Sequence, residues 1–186
     1  MASNARWENL TVDGNSMSVF VDEPAGPGPH PAVVVAHHRA GTDSPTTKFV
    51  QDLAGHGYVA ATPSLHHRRP EGEDTRDSAQ NLCDVQIVRD LNATVQLLQA
   101  MDTVDNDRMA IAGHCMGGRV SFLGAASIEA FKCNIVHYSG NMFKAMGEGD
   151  VPPFEKLGNL RGPVIGFFGK DDENPSPDQV AQIGAR

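Results

Sequence analysis

Cysteine is scarce in this sequence. Three residues, at 83, 115 and 133, are too few and too scattered for a small disulfide-held scaffold, and they predict a reducing, cytoplasmic setting. The opening stretch MASNARWENL has neither a basic nor an apolar segment, so no secretory leader is expected in it. No apolar run approaches the roughly 20 residues that a membrane-crossing helix needs. Basic residues are outnumbered, 15 Lys and Arg against 23 Asp and Glu, and the net charge of −8 argues against nucleic acid or anionic lipid as a partner. Low-complexity tracts and internal repeats are also missing. What is present is 186 residues, 40% of them hydrophobic. That is enough to bury a substantial core as one domain, 1–186, with small molecules as the expected partners. The oligomeric state is left open.

Apolar runs of two kinds alternate along the chain. PAVVVAHH (31–38), GYVAATPS (57–64), MAIAGHC (109–115), NIVHYSG (134–140) and PVIGFFGK (163–170) are short, rich in Val and Ile, and bounded by Gly, Pro or Asn. They have the pattern of strands covered on both faces. Between them lie helical stretches. Residues 44–57 offer Ser44 as N-cap, Pro45 at the first helical position, and Phe49, Val50, Leu53 and Ala54 at helical spacing. Residues 78–101 place Leu82, Val85, Val88, Leu91, Val95 and Leu98 on one stripe. Strict alternation of strand and helix predicts a doubly wound, mostly parallel α/β sheet with helices on both faces. MSVFVDEP (17–24) reads as an additional edge strand. The polar stretch 66–78 reads as a surface excursion near the mouth of a site.

In such a sheet, ligands collect outside the carboxyl ends of the strands. One strand-to-helix junction there reads GHCMGG, with Cys115 between Gly113 and Gly117. Glycine two positions before and two after a nucleophile is the mark of a nucleophile elbow, a turn too tight for larger residues. Cys115 then stands at the apex, at the N-terminus of the next helix, whose dipole lowers a thiol's pKa. The Met116 N–H becomes an oxyanion donor. The competing reading makes Cys115 a small buried hydrophobe.

With these residues in view, PAVVVAHHRAGTD, LAGHGYVAATPSLHHR, GHCMGGR and FFGKDDENPSPDQV, in this order and at these separations, resemble the dienelactone hydrolase family of the α/β-hydrolase fold. The resemblance runs from about residue 10 to the last residue. It implies a Cys-His-Asp triad in which the thiolate attacks a lactone or ester carbonyl, forming a thioester that water hydrolyses, with no cofactor and no metal. Cys115 matches the nucleophile. The acid matches Asp172, with Asp171 as the alternative. The second oxyanion N–H is expected near Arg39. His38 stands where well-known members carry a glutamate that pairs with the resting thiol, so it is a candidate for thiolate pairing or base catalysis. Arg39 and Arg76 are candidates for steering an anionic substrate, and His114, next to the nucleophile, for substrate contact. The family places its triad histidine beyond one further helix and strand after the aspartate. This sequence stops at SPDQVAQIGAR, where Ser176, Pro177 and Gln179 start a helix, so the last strand and helix of the fold and the general base are expected outside it.

Two other classes stay open. His37, His38, His66, His67 and His114 crowd the carboxyl edge of the sheet, which suits a metal site, although the adjacent pairs lack metal-ligand spacing. A non-catalytic binding protein on the same fold is the other. His56 and His137 are expected to pack or cap, and Cys83 and Cys133 to be structural thiols.

Overall fold

Asp13 and Gly14 close a hairpin that the apolar runs do not announce. In the computed structural model, which describes residues 4–147 and 151–186, β1 (Arg6–Val12) pairs antiparallel with β2 (Asn15–Asp22). The register sets Val12 opposite Asn15 and leaves a two-residue turn with φ of 49° at Asp13 and 78° at Gly14. Positive φ at both central residues is the turn whose twist suits a hairpin, and Asp-Gly is well fitted to it.

The remaining strands are β3 (His30–Ala36), β4 (Val59–Pro63), β5 (Val104–His114), β6 (Phe131–His137) and β7 (Val164–Phe167). They form one seven-stranded sheet in the order β1-β2-β4-β3-β5-β6-β7, parallel from β4 to β7. All five runs form these parallel strands, but β7, expected to be covered on both faces, is exposed along its length because it is the outermost strand of the sheet, with β6 as its one neighbour among the described residues. β2 is not the edge, however. It bonds β1 on one side and β4 on the other, because Pro24 follows the last paired residue, Asp22, and removes no ladder N–H.

Alternation along β3 divides the core. Val33 and Val35 pack with Val50 of α1 (Ser44–Gly55) on one face. Ala32, Val34 and Ala36 pack with Ile87, Leu91, Val95 and Leu98 of α3 (Asp84–Gln99) and Val120 and Leu123 of α4 (Met116–Ser127) on the other. Each buried Val, Leu or Ile among them contributes roughly 1.5–3 kcal/mol relative to exposure.

Three local expectations change. The N-cap of α1 is Asp43 rather than Ser44, since its carboxylate reaches the Thr46 N–H and hydroxyl. The stretch expected as one helix from 78 to 101 is broken. A short α2 (Thr75–Ser78) leads into a 3-10 turn, and α3 starts only at Asp84, with Cys83 as its cap rather than on an apolar stripe. The buried face of α3 is Asp84, Ile87, Asp90, Leu91, Thr94, Val95 and Leu98, while Val85 is 43% exposed. Arg119 pairs with Asp84 and Arg68 with Asp90, and these buried ion pairs turn the helix away from its purely aliphatic stripe. Further on, α5 (Pro153–Lys156) and α6 (Pro177–Gly184) follow, and α6 opens with the expected Ser176/Gln179 capping box. Among the described residues no helix is long and apolar enough to cross a membrane.

Candidate active site

The junction of β5 and α4 shows why glycine is needed on both sides of Cys115. A Cβ placed on Gly113 would lie 2.1 Å from the Gly117 carbonyl oxygen, and one on Gly117 would lie 2.0 Å from that of Ala36. Backbone meets backbone at both points, so no side chain can move aside. Cys115 itself adopts φ 58°, ψ −124°, a strained conformation for a residue with a Cβ. Its N–H donates to the His137 carbonyl, which fixes the bend against β6. The close approach of Gly117 to Ala36 and His37 also sets the end of β3 against the start of α4.

Cys115 is exposed, whereas Cys83 and Cys133 are half-buried, and burial pushes the Cys133 thiol up from its ordinary value. The Cys115 carbonyl accepts from Gly118 and Arg119, leaving the Met116 N–H in the first turn of α4 without a carbonyl inside the helix. The side chain opens into a cavity of about 650 Å³ whose walls include Met116, Arg39, Tyr138, Asn141, Lys144 and Asn174. Tyr138 (φ 40°) and Asn141 (φ 56°) are held in left-handed backbone conformations at the end of β6.

Among the residues expected at the site, Cys115, Met116 and Arg39 come together at this cavity. Arg39 reaches its place because its Nε donates to the Arg76 carbonyl at 2.8 Å. Arg76 itself is exposed on α2 and its side chain is not part of the cavity wall. Asp171 and Asp172 follow β7, and neither lines the cavity. Asp172 Oδ1 accepts the N–H of Asn174, and Asn174 does line it.

His38 is committed elsewhere. Its Nδ1 accepts the Ala40 N–H at 3.2 Å, so Nε2 carries the proton and donates to Asp43 at 2.8 Å. Burial alone would raise the Asp43 carboxyl. Hydrogen bonds from the Thr46 hydroxyl and amide, with His38 beside them, outweigh it and hold the group below its ordinary value. Neither nitrogen of His38 is left for the thiol. His114 is half-buried with its ring centroid 5.2 Å from that of His38, and lies outside the cavity wall. Burial, helped by the neighbouring His38 and His137, pushes its pKa down.

The remaining histidines are spread over separate hydrogen bonds. His37 is fully buried between the His38 carbonyl and the Leu65 N–H. His66 meets the Arg39 carbonyl, and His67 meets Asp90. Among the described residues no three His, Cys, Asp or Glu side chains converge as metal ligands. His56 caps α1, and the His137 ring stacks on Phe167.

Tyr138, Asn141, Lys144, Asn174 and Arg119 are among the wall residues that were not singled out from the sequence. A guanidinium in the otherwise small and apolar run GGRVSFLGAAS was the available signal for Arg119.

Comparison with known proteins fits this architecture. The model of the dienelactone hydrolase family matches residues 17–185. A "Putative carboxymethylenebutenolidase" from Synechocystis sp. is 28% identical over 187 residues, covering 95% of this chain and 73% of that protein. A "Probable 2-oxo-3-(5-oxofuran-2-ylidene)propanoate lactonase" from Bradyrhizobium sp. is 25% identical over 186 residues, covering 97% and 75%. Among solved structures, a "Putative Dienelactone Hydrolase" from Klebsiella pneumoniae superimposes with a TM-score of 0.85 at 24% identity, covering all of this chain and 80% of that one. The sheet is that of the α/β-hydrolase fold.

Proposed function

Since the chain belongs to the dienelactone hydrolase family, we propose that it hydrolyses a lactone or carboxylic ester with Cys115 as the nucleophile. The observation that carries this reading is the exposed Cys115 at a strained apex, opening into the cavity beside the first-turn amides of α4. The thiolate attacks the carbonyl carbon. The oxygen that becomes negative takes the Met116 N–H and, from the β3 side, the Arg39 N–H. Removing one such donor typically costs about 10²–10³ in rate. Collapse of the tetrahedral species breaks the C–O bond, leaves a thioester on Cys115 and releases the alkoxide, which takes up a proton. Water then attacks the thioester carbonyl and returns the thiol. The positive end of α4 favours both the thiolate and the oxyanion.

Asp172, or Asp171 beside it, is the acid that would orient the proton-transferring base. In the family pattern that base is a histidine following a further helix and strand, and residues 173–186 contain none. His38 is a poor substitute because both of its ring nitrogens are occupied.

The charged residues of the cavity wall are Arg39, Arg119 and Lys144, with no Asp or Glu among its described residues. Arg119 is neutralised by Asp84, which leaves Arg39 and Lys144 to favour a substrate carrying a carboxylate. The test is direct. The wild-type chain should take one equivalent of iodoacetamide rapidly at Cys115 and release p-nitrophenol from p-nitrophenyl acetate, and Cys115→Ala should lose both. Undiminished release by Cys115→Ala removes this mechanism.

A further inference from the structure

We propose that Arg119 is a positioning residue: it hangs the cavity wall, residues 141–146, on the nucleophile helix and, through Asn141 and Asn174, ties that wall to the loop carrying Asp172. The proposal rests on the reading of Cys115 as nucleophile.

Arg119 lies four residues after Cys115 on α4 and is fully buried, as is Asp84 at the start of α3. The guanidinium grips both carboxylate oxygens, Nη1 to Oδ1 at 2.5 Å and Nη2 to Oδ2 at 2.8 Å. Its remaining bonds go to the wall, Nε to the Asn141 carbonyl at 3.2 Å and Nη2 to the Lys144 carbonyl at 2.7 Å. Asp84 completes the grip. Its Oδ2 accepts the Met146 N–H at 3.0 Å, and its own N–H donates to the Met146 carbonyl at 2.8 Å. Residues 141–146 form no helix or strand of their own. The side chains of this ion pair satisfy three of their backbone groups, the Asn141 and Lys144 carbonyls and the Met146 N–H, where no ladder does so.

A buried ion pair contributes little net stability, because desolvation offsets the attraction. What it provides here is direction. The planar fork of an arginine fixes two acceptors on one side and two on the other, which a lysine cannot do. Because Cys115 is the N-cap of the helix that carries Arg119, the wall is held in register with the thiol. The chain of bonds continues from there. The Asn141 N–H donates to Asn174 Oδ1 at 2.8 Å, and the Asn174 N–H donates to Asp172 Oδ1 at 3.1 Å. A Cβ on Gly140 would stand 3.0 Å from Asn174 Nδ2, so the two loops are already in contact. The nucleophile helix, the pocket wall and the acid loop form one connected unit.

The experiment uses the 186-residue chain as wild type, Arg119→Lys and Asn174→Ala. Labelling at Cys115 is followed by peptide mapping with two reagents: iodoacetamide, which reports the thiol alone, and 4-(iodoacetamido)benzoate, whose aromatic carboxylate must lie along the wall. Wild type should label saturably with the benzoate. Arg119→Lys should raise the half-saturating concentration by about tenfold, as expected for losing charge-assisted bonds. The maximal rate and the iodoacetamide rate should move by less than about threefold. Asn174→Ala, at an exposed position, should shift the same constant in the same sense. Wild-type half-saturation in both variants overturns the proposal, and so does labelling of wild type that never saturates. If Arg119→Lys does not fold, unchanged half-saturation in Asn174→Ala is sufficient to overturn it. Failure of the nucleophile reading has a different signature, ester turnover that survives Cys115→Ala, and it leaves the labelling constants where they are.

Discussion

Acidification should strip stability from this protein while most carboxylates are still ionised, with His37 as the main cause. The ring sits fully buried just after β3, its Nδ1–H donating to the His38 carbonyl at 2.7 Å and its Nε2 accepting the Leu65 N–H at 3.0 Å. The bond from Leu65 requires the neutral imidazole, because a proton on Nε2 would face the Leu65 N–H. Burial drives the pKa from 6.5 down to about 3, against the opposing pull of the His38 carbonyl. The unfolded chain therefore takes up a proton as pH falls through 6.5, while the folded chain refuses it until about 3. Stability contributed by His37 is complete above pH 6.5 and is lost progressively below it. The full span corresponds to about 5 kcal/mol, and the part lost between pH 6.5 and 4.5 to about 2 kcal/mol. Against a typical total of roughly 5–15 kcal/mol that is a large share. His66 and His114, both lowered first by burial, add in the same direction. The assay is urea unfolding followed by circular dichroism at several pH values across that window, for wild type and His37→Gln. Glutamine can keep one donor and one acceptor but does not titrate, so its stability curve should be flatter by about 2 kcal/mol over the window. Parallel curves, agreeing to within about 0.5 kcal/mol, would refute the reasoning.

Gly117→Ala should destabilise the fold by about 3 kcal/mol, at the upper end of overpacking penalties, because its Cβ meets the Ala36 carbonyl oxygen and not a movable side chain. Thermal melts against wild type check it, and a Tm unchanged within error contradicts the elbow geometry. The face of α3 is tested by a pair of variants. Ile87→Ala should cost about 2–5 kcal/mol and Val85→Ala less than about 0.5 kcal/mol by urea midpoints, and the reverse order would mean that the helix is rotated.

How far the sequence could be read follows from where the signals lie. The elbow was legible because two glycines at fixed spacing answer two backbone contacts, at 2.1 and 2.0 Å. The five parallel strands were legible because each is a short apolar run, four of them largely covered and β7 exposed along its length. β1 was not, since RWENLTV mixes polar with apolar residues without a clean period and has only Val12 buried along an outer strand. The face of α3 was misread because its burial is decided by Asp84 and Asp90, whose partners Arg119 and Arg68 lie far away in the chain. The N-cap of α1 moved by one residue because Asp43 and Ser44 are both good caps, and only the contact with Thr46 separates them. At the site, Cys115 and Met116 followed from local pattern and Arg39 from the family resemblance. Asn141, Asn174 and Arg119 work through contacts 22–35 residues apart, which no local spacing encodes.

The central claim is that Cys115 becomes acylated. Rapid acid quenching of the chain mixed with p-nitrophenyl acetate, followed by peptide mass mapping, tests it most directly. The account predicts one acetyl group on the peptide containing Cys115 and none on those containing Cys83 or Cys133, appearing together with the first equivalent of p-nitrophenol. Ester cleavage at full rate with no acyl group on Cys115 would contradict it.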